Sequence, residues 1–252
     1  MTAPVFLADP GTLGALDVGG RYVLRGEEAR HAGVVQRRRT GERVDVVDGS
    51  GVRLECVIAA VEPGSLELDV LSRRDEPEES LRLVLVQALA KGDRDELAIE
   101  AATEVGVDAV VPWQARRSIV VWRGDRAARS RARWLATVRT ATKQARRARV
   151  PVVDEAVGLD GLVRRIRSTV EAGGAALLLH EEAEASLASV ALPSDGEILV
   201  VVGPEGGIDE TEVAAMTEAG ARPVRLGPHV LRTSTAGPVA LALLASRTGR
   251  WS

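Results

Sequence analysis

The stretch EILVVVGPEGGIDETE, residues 197–212, constrains the fold more than any other. An apolar run suited to a buried strand ends in a glycine-rich turn, and a polar, helix-forming stretch follows at once. Strand, tight turn and helix in that order build a parallel sheet covered on both faces, and turns at the carboxyl ends of such strands are where α/β proteins hold small molecules. The turn has neither GxGxxG nor GxxxxGK[ST], the spacings that cradle phosphates, and the Glu205 carboxylate would repel one. A second loop, LGPHVLRTSTAG at 226–237, also lies between an apolar run and a helix, and LLHEE at 178–182 ends a third apolar run. Three such loops wall a crevice whose backbone N–H and C=O groups suit a flat polar ring such as adenine.

From Leu81 onward strands and helices alternate. LRLVLVQAL, VDAVVPW, AALLLH, EILVVV and RPVRLG read as strands. DRDELAIEAATEVG reads as a helix closed by Gly106. DRAARSRARWLATVRTATKQARRAR reads as a long helix with Trp134, Val138, Ala141 and Ala145 on one stripe, stopped by Pro151. Further helices are expected at 159–171, at Asp209–Ala219, and over PVALALLASRTG, the last capped by Ser234 or Thr235. The beginning of the chain differs. RYVL, RVDVVDG, GVRLECVIAAVE and SLELDVL are short strands, DGSG at 48–51 is a hairpin signal, and EEARHAGVVQRRR is one short helix. SRRDEPEES is polar and carries Pro77. The expected organisation is a small β-barrel over 1–72, a linker over 73–80 and an α/β domain over 81–252.

Four Trp, one Tyr and one Phe leave the cores to aliphatic residues, so nucleic-acid binding does not rest on a broad aromatic surface. One cysteine and three scattered histidines make no internal disulfide and no metal-ligand cluster, so no metal is expected. No apolar run approaches membrane-spanning length, and the start lacks a basic and then apolar leader, so a cytoplasmic protein without a membrane partner is expected. The net charge of −3 hides a segregation. Arg116–Arg149 holds twelve Arg and Lys and one acid, Asp125, and Arg37-Arg38-Arg39 is a second basic cluster. Such segregation fits a polyanionic partner or, equally, a solvated arginine-rich helix.

The pair VVGPEGG and LGPHVLRTSTA resembles the cofactor loops of the RsmE family, SPOUT-class methyltransferases that methylate N3 of a uridine in 16S ribosomal RNA. HAGVVQRRRTGE, ALAKGDRDELAIEAATEVGV, RRS at 116–118 and WLATVRTATKQARRARVP extend the likeness over nearly the whole chain. One residue departs from it: Ser234 stands where the family usually has Glu. The resemblance implies an α/β fold, with a C-terminal SPOUT-type α/β domain containing a trefoil knot and a small N-terminal PUA-like β-barrel that grips RNA. It implies S-adenosylmethionine (SAM) as cofactor, and 16S rRNA of the small ribosomal subunit and a second copy of the chain as partners.

The residues implied for the cofactor are Leu179 and His180, then Val202, Gly203, Pro204, Glu205, Gly206 and Gly207, then Leu226, Gly227, Val230, Leu231, Arg232 and Thr233. Gly203, Gly206 and Gly207 would admit the backbone to SAM and adopt positive φ, and Leu226 and Leu231 would wall its adenine. Arg232 and Glu205 are the catalytic candidates. Arg232 would stabilise the oxyanion that forms as uracil N3 attacks the methyl group; it could instead bind phosphate or pair with Glu205. Glu205 is a general base, a group that orients the cofactor, or a cap for the next helix. Arg37, Arg38, Lys91, Arg116, Arg117, Arg146, Arg147 and Arg149 are candidates for RNA phosphates, which position rather than read a sequence. Cys56, in the barrel, stands away from these loops, against a cysteine-mediated mechanism. The alternative is a non-catalytic RNA-binding or ribosome-assembly factor on the same fold. Finally, PVALALLAS at 238–246 is apolar around almost its whole circumference, so a partner copy or the rest of its own subunit must cover it.

Overall fold

The computed structural model describes residues 3–251, so the outermost residues of the expected spans 1–72 and 81–252 lie outside the described residues. The described chain forms two compact units. One runs to Glu78 and takes in Thr142–Val150; the other comprises Glu79–Ala141 and the chain from Pro151 on.

The first unit is a five-stranded sheet in the order β1-β3-β4-β5-β2. Its strands are β1 (Val5–Leu7), β2 (Arg21–Arg25), β3 (Arg43–Val47), β4 (Val52–Glu62) and β5 (Ser65–Asp75). β1 pairs parallel with β3, and the remaining pairs are antiparallel. The expected DGSG hairpin joins β3 to β4, with Gly49 and Gly51 at φ of 78° and 115° and the Asp48 carboxylate accepting from the N–H groups of Ser50 and Val52. Helix α1 (Gly26–Arg30) continues into a π-helical turn, His31–Val35. Three-residue β1 carried no legible alternation. β5 continues to Asp75, inside the stretch read as a linker, and the segment 142–150 belongs to this unit, which no contiguous boundary includes. That segment is tied in by Lys143 Nζ on Glu28 (2.6 Å) and by Arg53 Nη2 on the carbonyl of Arg146 (2.7 Å).

The second unit is an α/β layer structure around a wholly parallel six-stranded sheet, in the order β11-β9-β10-β6-β7-β8. Its strands are β6 (Leu81–Ala88), β7 (Ala109–Trp113), β8 (Val152–Val153), β9 (Ala175–Leu179), β10 (Gly196–Val202) and β11 (Arg222–Val224). Central β6 and β10 are near-continuous apolar runs because helices cover both faces. The helices are α2 (Arg94–Glu104), α3 (Asp125–Gln144), α4 (Leu159–Glu171), α5 (Glu210–Glu218) and α6 (Thr233–Arg247). Gly106 closes α2 at φ 103°, as read. α3 ends at Gln144, short of Pro151, so Ala145 falls outside it; Trp134, Val138 and Ala141 form its buried stripe. α6 begins two to three residues earlier than expected, with Arg232 and not Ser234 or Thr235 at its cap. It packs so closely on the sheet that a Cβ at Gly237 would lie 2.8 Å from Leu85 Cδ1. Leu241 and Leu244 are buried within the subunit, so its own sheet and α2 cover most of this apolar helix; Val239 keeps an exposed face.

Candidate active site

The loops after β9, β10 and β11 leave the sheet at the same edge, the carboxyl ends of three neighbouring strands. They wall a cavity of about 850 Å³, within the size range of small-molecule sites. Every residue assigned to the cofactor, from Leu179 and His180 to Arg232 and Thr233, lines it.

The turn after β10 is internally built. Gly203 is a glycine because a Cβ there would lie 2.5 Å from Ile208 Cγ1, and Gly207 because its φ is 74°. Gly203 and Gly206, contrary to expectation, do not need positive φ. The Gly207 N–H donates to the Pro204 carbonyl (3.0 Å), closing the turn. Asp209, not Glu205, caps α5: its carboxylate accepts from Thr211 N–H while Glu212 reaches back to the N–H of Asp209.

Glu205 turns the other way. One oxygen accepts from the Arg94 guanidinium (2.7 Å) and from the backbone N–H of Lys91 (3.2 Å). Partial burial raises its pKa, but its own backbone N–H, Arg94 and the Lys91 N–H outweigh this and hold the carboxyl below the usual range. A carboxylate so held is a weak proton acceptor and a good anchor.

The loop after β11 is built differently. Among the described residues, the backbone N–H groups of Gly227, Val230 and Leu231 have no partner, and Val230 is 73% exposed. The loop is fastened at its end by Thr233, whose hydroxyl donates to the Gly203 carbonyl (2.7 Å) and accepts from the Gln87 amide (2.9 Å). The Arg232 guanidinium has no hydrogen-bond or ion-pair partner among the described residues, so it does not pair with Glu205. Ser234, the one departure from the resembled pattern, does not itself line the cavity, although its neighbour Thr233 does.

The RNA candidates separate into tied and open groups. Arg149 is committed to the carbonyls of Glu76 (2.7 Å) and Pro77, and Arg38 to Glu42 (3.4 Å). Arg116 and Arg117 both reach Asp209 (3.4 Å), and Arg117 also lines the cavity. Lys91, Arg37 and Arg146 are exposed, and half-buried Arg147 has a partner of its own. Sequence reasoning missed Arg94 and Ile208 as cavity residues. Arg94 lay in the quoted KGDRDE stretch, but no spacing connects it to Glu205, far along the chain.

Residues 77–245 match the RNA methyltransferase domain family. A ribosomal RNA small subunit methyltransferase E from Mycobacterium bovis is 47% identical over 93% of this chain and 90% of its own length. The chain belongs to the ribosomal RNA small subunit methyltransferase E family. The Bacillus subtilis member is 30% identical over 90% of both chains. The crystal structure of the Neisseria gonorrhoeae member, bound to S-adenosyl methionine, superposes with a TM-score of 0.85 at 30% identity over 98% of both chains. Among the described residues no helix is long and apolar enough to cross a membrane, and no group of His, Cys, Asp and Glu is placed to hold a metal ion.

Proposed function

We propose that this chain transfers a methyl group from SAM to N3 of a uridine in 16S ribosomal RNA, acting in the cytoplasm on the small subunit or its RNA. Family membership supports the methyltransferase reading and the class of RNA. The observation that carries it to these residues is the three-loop cavity, with unpaired backbone donors on one wall and an unpaired guanidinium at its rim. The donor set fits SAM: the Gly227, Val230 and Leu231 N–H groups suit the nitrogens and oxygens of an adenosine, and Leu226 and Leu231 supply apolar walls. The cofactor supplies an electrophilic methyl group on a sulfonium.

The chain's own residues do the rest. Uracil N3 is only weakly acidic, so its proton must pass to solvent water for the nitrogen to attack, and the negative charge this leaves spreads to O2 and O4. Arg232, whose backbone caps α6 and whose guanidinium is unpaired, would stabilise that charge, an effect of about 3 kcal/mol for one good donor. Glu205, held by Arg94 and Lys91, anchors the turn and is not the base in this reading. In this reading, which rests on family membership, the second unit is a SPOUT-type domain with a trefoil knot and the first a PUA-like module that grips RNA, about the boundaries 1–72, 73–80 and 81–252 except that the first unit extends to Glu78 and takes in 142–150. Exposed Leu97 on α2 and Val239 on α6 support a homodimer that pairs through the α2 and α6 surface.

Tritiated SAM and unmodified 16S transcript test the reading, followed by mass mapping of the product. Methyl incorporation at one uridine, as N3-methyluridine, is expected. Replacing the exposed Arg126, Arg129 and Arg139 of α3 by Ala should flatten the slope of log K against log salt by roughly 0.7–0.9 for each RNA phosphate no longer neutralised. Incorporation at another atom would remove the N3 assignment.

A further inference from the structure

The loop between β7 and α3 is short on secondary structure but heavily braced. Gln114 spans it: its amide Nε2 donates to the Val120 carbonyl (2.9 Å), and its Oε1 accepts from the Trp122 N–H (3.2 Å). Trp122 is folded inward and meets the buried Trp134 ring edge-on at 5.2 Å. At the near end the Arg116 N–H donates to the buried Glu212 carboxylate (2.8 Å), and Arg117 reaches the Gly206 carbonyl (3.3 Å) in the glycine turn. The loop is therefore fixed to the wall of the cavity at one end and to α3 at the other. Yet its tip is apolar and turned outward: Ile119 is 72% exposed and Val121 38%. Exposed Arg116, Arg117 and Arg123 flank the tip.

A lone exposed isoleucine is ordinary on a protein surface; this one is set apart by the bracing of its loop at both ends and by the arginines that border it. The apolar area is one side chain and part of another, far below the roughly 800 Å² per partner of a stable protein interface. Its scale is that of a single base step, and its arginine border suits a phosphate backbone.

We infer that Ile119 is a wedge that enters the base stack of the RNA beside the target uridine and holds open the place the uridine leaves. This rests on the methyltransferase reading above and deepens it. N3 lies on the pairing edge of uracil and is closed off when the base is paired, and a stacked base cannot enter a walled cavity, so the base must leave the stack to reach it. Unstacking costs free energy, and apolar side chains inserted between bases recover part of that cost. Arg117 lies two residues from the wedge and lines the cavity, so the gap in the stack and the methyl donor stand at the two ends of one braced segment. Ile119 is thus a positioning residue: it touches neither the cofactor nor the reacting atoms.

The test compares wild type, Ile119→Ala and Ile119→Leu on unmodified 16S transcript with tritiated SAM. Ile119→Ala should lower kcat by about tenfold or more, with KM for RNA and the salt slope nearly unchanged, because the interaction it removes is apolar and acts on the flipped state. Ile119→Leu should retain most activity, and SAM affinity by calorimetry should be equal in all three. Wild-type turnover by Ile119→Ala overturns the wedge while leaving the methyltransferase reading intact. A change in sedimentation with unchanged turnover assigns the tip to a protein partner and also overturns it. No transfer by the wild-type protein overturns the methyltransferase reading itself, and the wedge with it.

Discussion

The two loops that face each other across the cavity are built on opposite plans. The turn after β10, residues 203–209, satisfies itself: Gly203 lies under Ile208, Gly207 closes on Pro204, Asp209 caps α5, and Glu205 is held by Arg94. The loop after β11, residues 225–232, leaves backbone donors and the Arg232 guanidinium unpaired, and exposes Val230. One wall is a finished scaffold; the other is completed by what binds to it. Binding energy then comes from donors that need not break an internal bond to engage a ligand, while the opposite wall keeps the geometry that makes their placement useful.

The largest effect that sharpens this contrast is chemical. Arg232→Ala should lower kcat by about 100- to 1000-fold, the range for one donor that stabilises developing charge. SAM affinity should change little, since the guanidinium acts when uracil becomes negative and not in the ground state. Single-turnover rates with saturating RNA, beside a calorimetric SAM titration, read both quantities. Near-normal turnover would break the assignment of the open loop to catalysis.

Next comes a matched pair of substitutions. Gly203→Ala puts a methyl group into Ile208, and overpacking of roughly 1–3 kcal/mol would displace the turn and weaken SAM binding by about 10- to 100-fold. Gly227→Ala meets no atom within 4 Å, so stability without ligand should stay at the wild-type value. Thermal unfolding with and without SAM separates the two, since ligand adds stability only through binding to the folded state. Equal stability losses in the two variants would show that the loops are not built on different plans.

How much of this contrast was legible before the structure follows the same division. The strand, turn and helix order, the parallel sheet and the three converging loops were readable, because apolar runs and glycine placement are local signals. The residues that resemblance to a known family assigned to the cofactor also come together along one cavity, though Arg94 and Ile208 join them there unpredicted. The internal wiring was not legible. Glu205 reads as a cap or a base because it stands before a helix; its partners lie near residue 91, joined to it only through the pairing of β6 with β10. The role of Asp209 was hidden for the same reason, since Glu205 fits the same local pattern. Return of the segment 142–150 to the first unit was likewise invisible, because an arginine-rich helix end shows no destination. The apolar α6 pointed as readily to a partner copy as to its own sheet, and packing of Gly237 on Leu85 decides most of that helix for the sheet.

The smallest effect concerns the support behind the finished wall. Asp95, in the first turn of α2 beside Arg94, is buried, and burial lifts its carboxyl from 3.8 to about 6 against the opposing pull of backbone donors at Glu96 and Ala90. A raised carboxyl pKa means that the folded chain binds more protons than the unfolded chain between these two values. Its contribution to stability therefore falls as pH rises from about 4 to about 6 and is level above that. Glu205 has the opposite sign: its lowered pKa gives stability that is present above the usual carboxylate range and is lost as pH falls through the depressed value. The two carboxyls thus oppose each other at the base of one loop. Asp95→Asn should remove the downward trend, so its melting temperature relative to wild type rises between pH 4 and pH 6, by about 2–4 °C for each kcal/mol in a chain of this size. Glu205→Gln should leave that window nearly unchanged and flatten the acid limb below it. Melting curves from pH 3 to pH 8 on the three proteins resolve the two. An Asp95→Asn curve parallel to wild type throughout would mean that Asp95 titrates alike in the folded and unfolded chains, and that the wall behind Arg94 and Glu205 does not depend on its protonation.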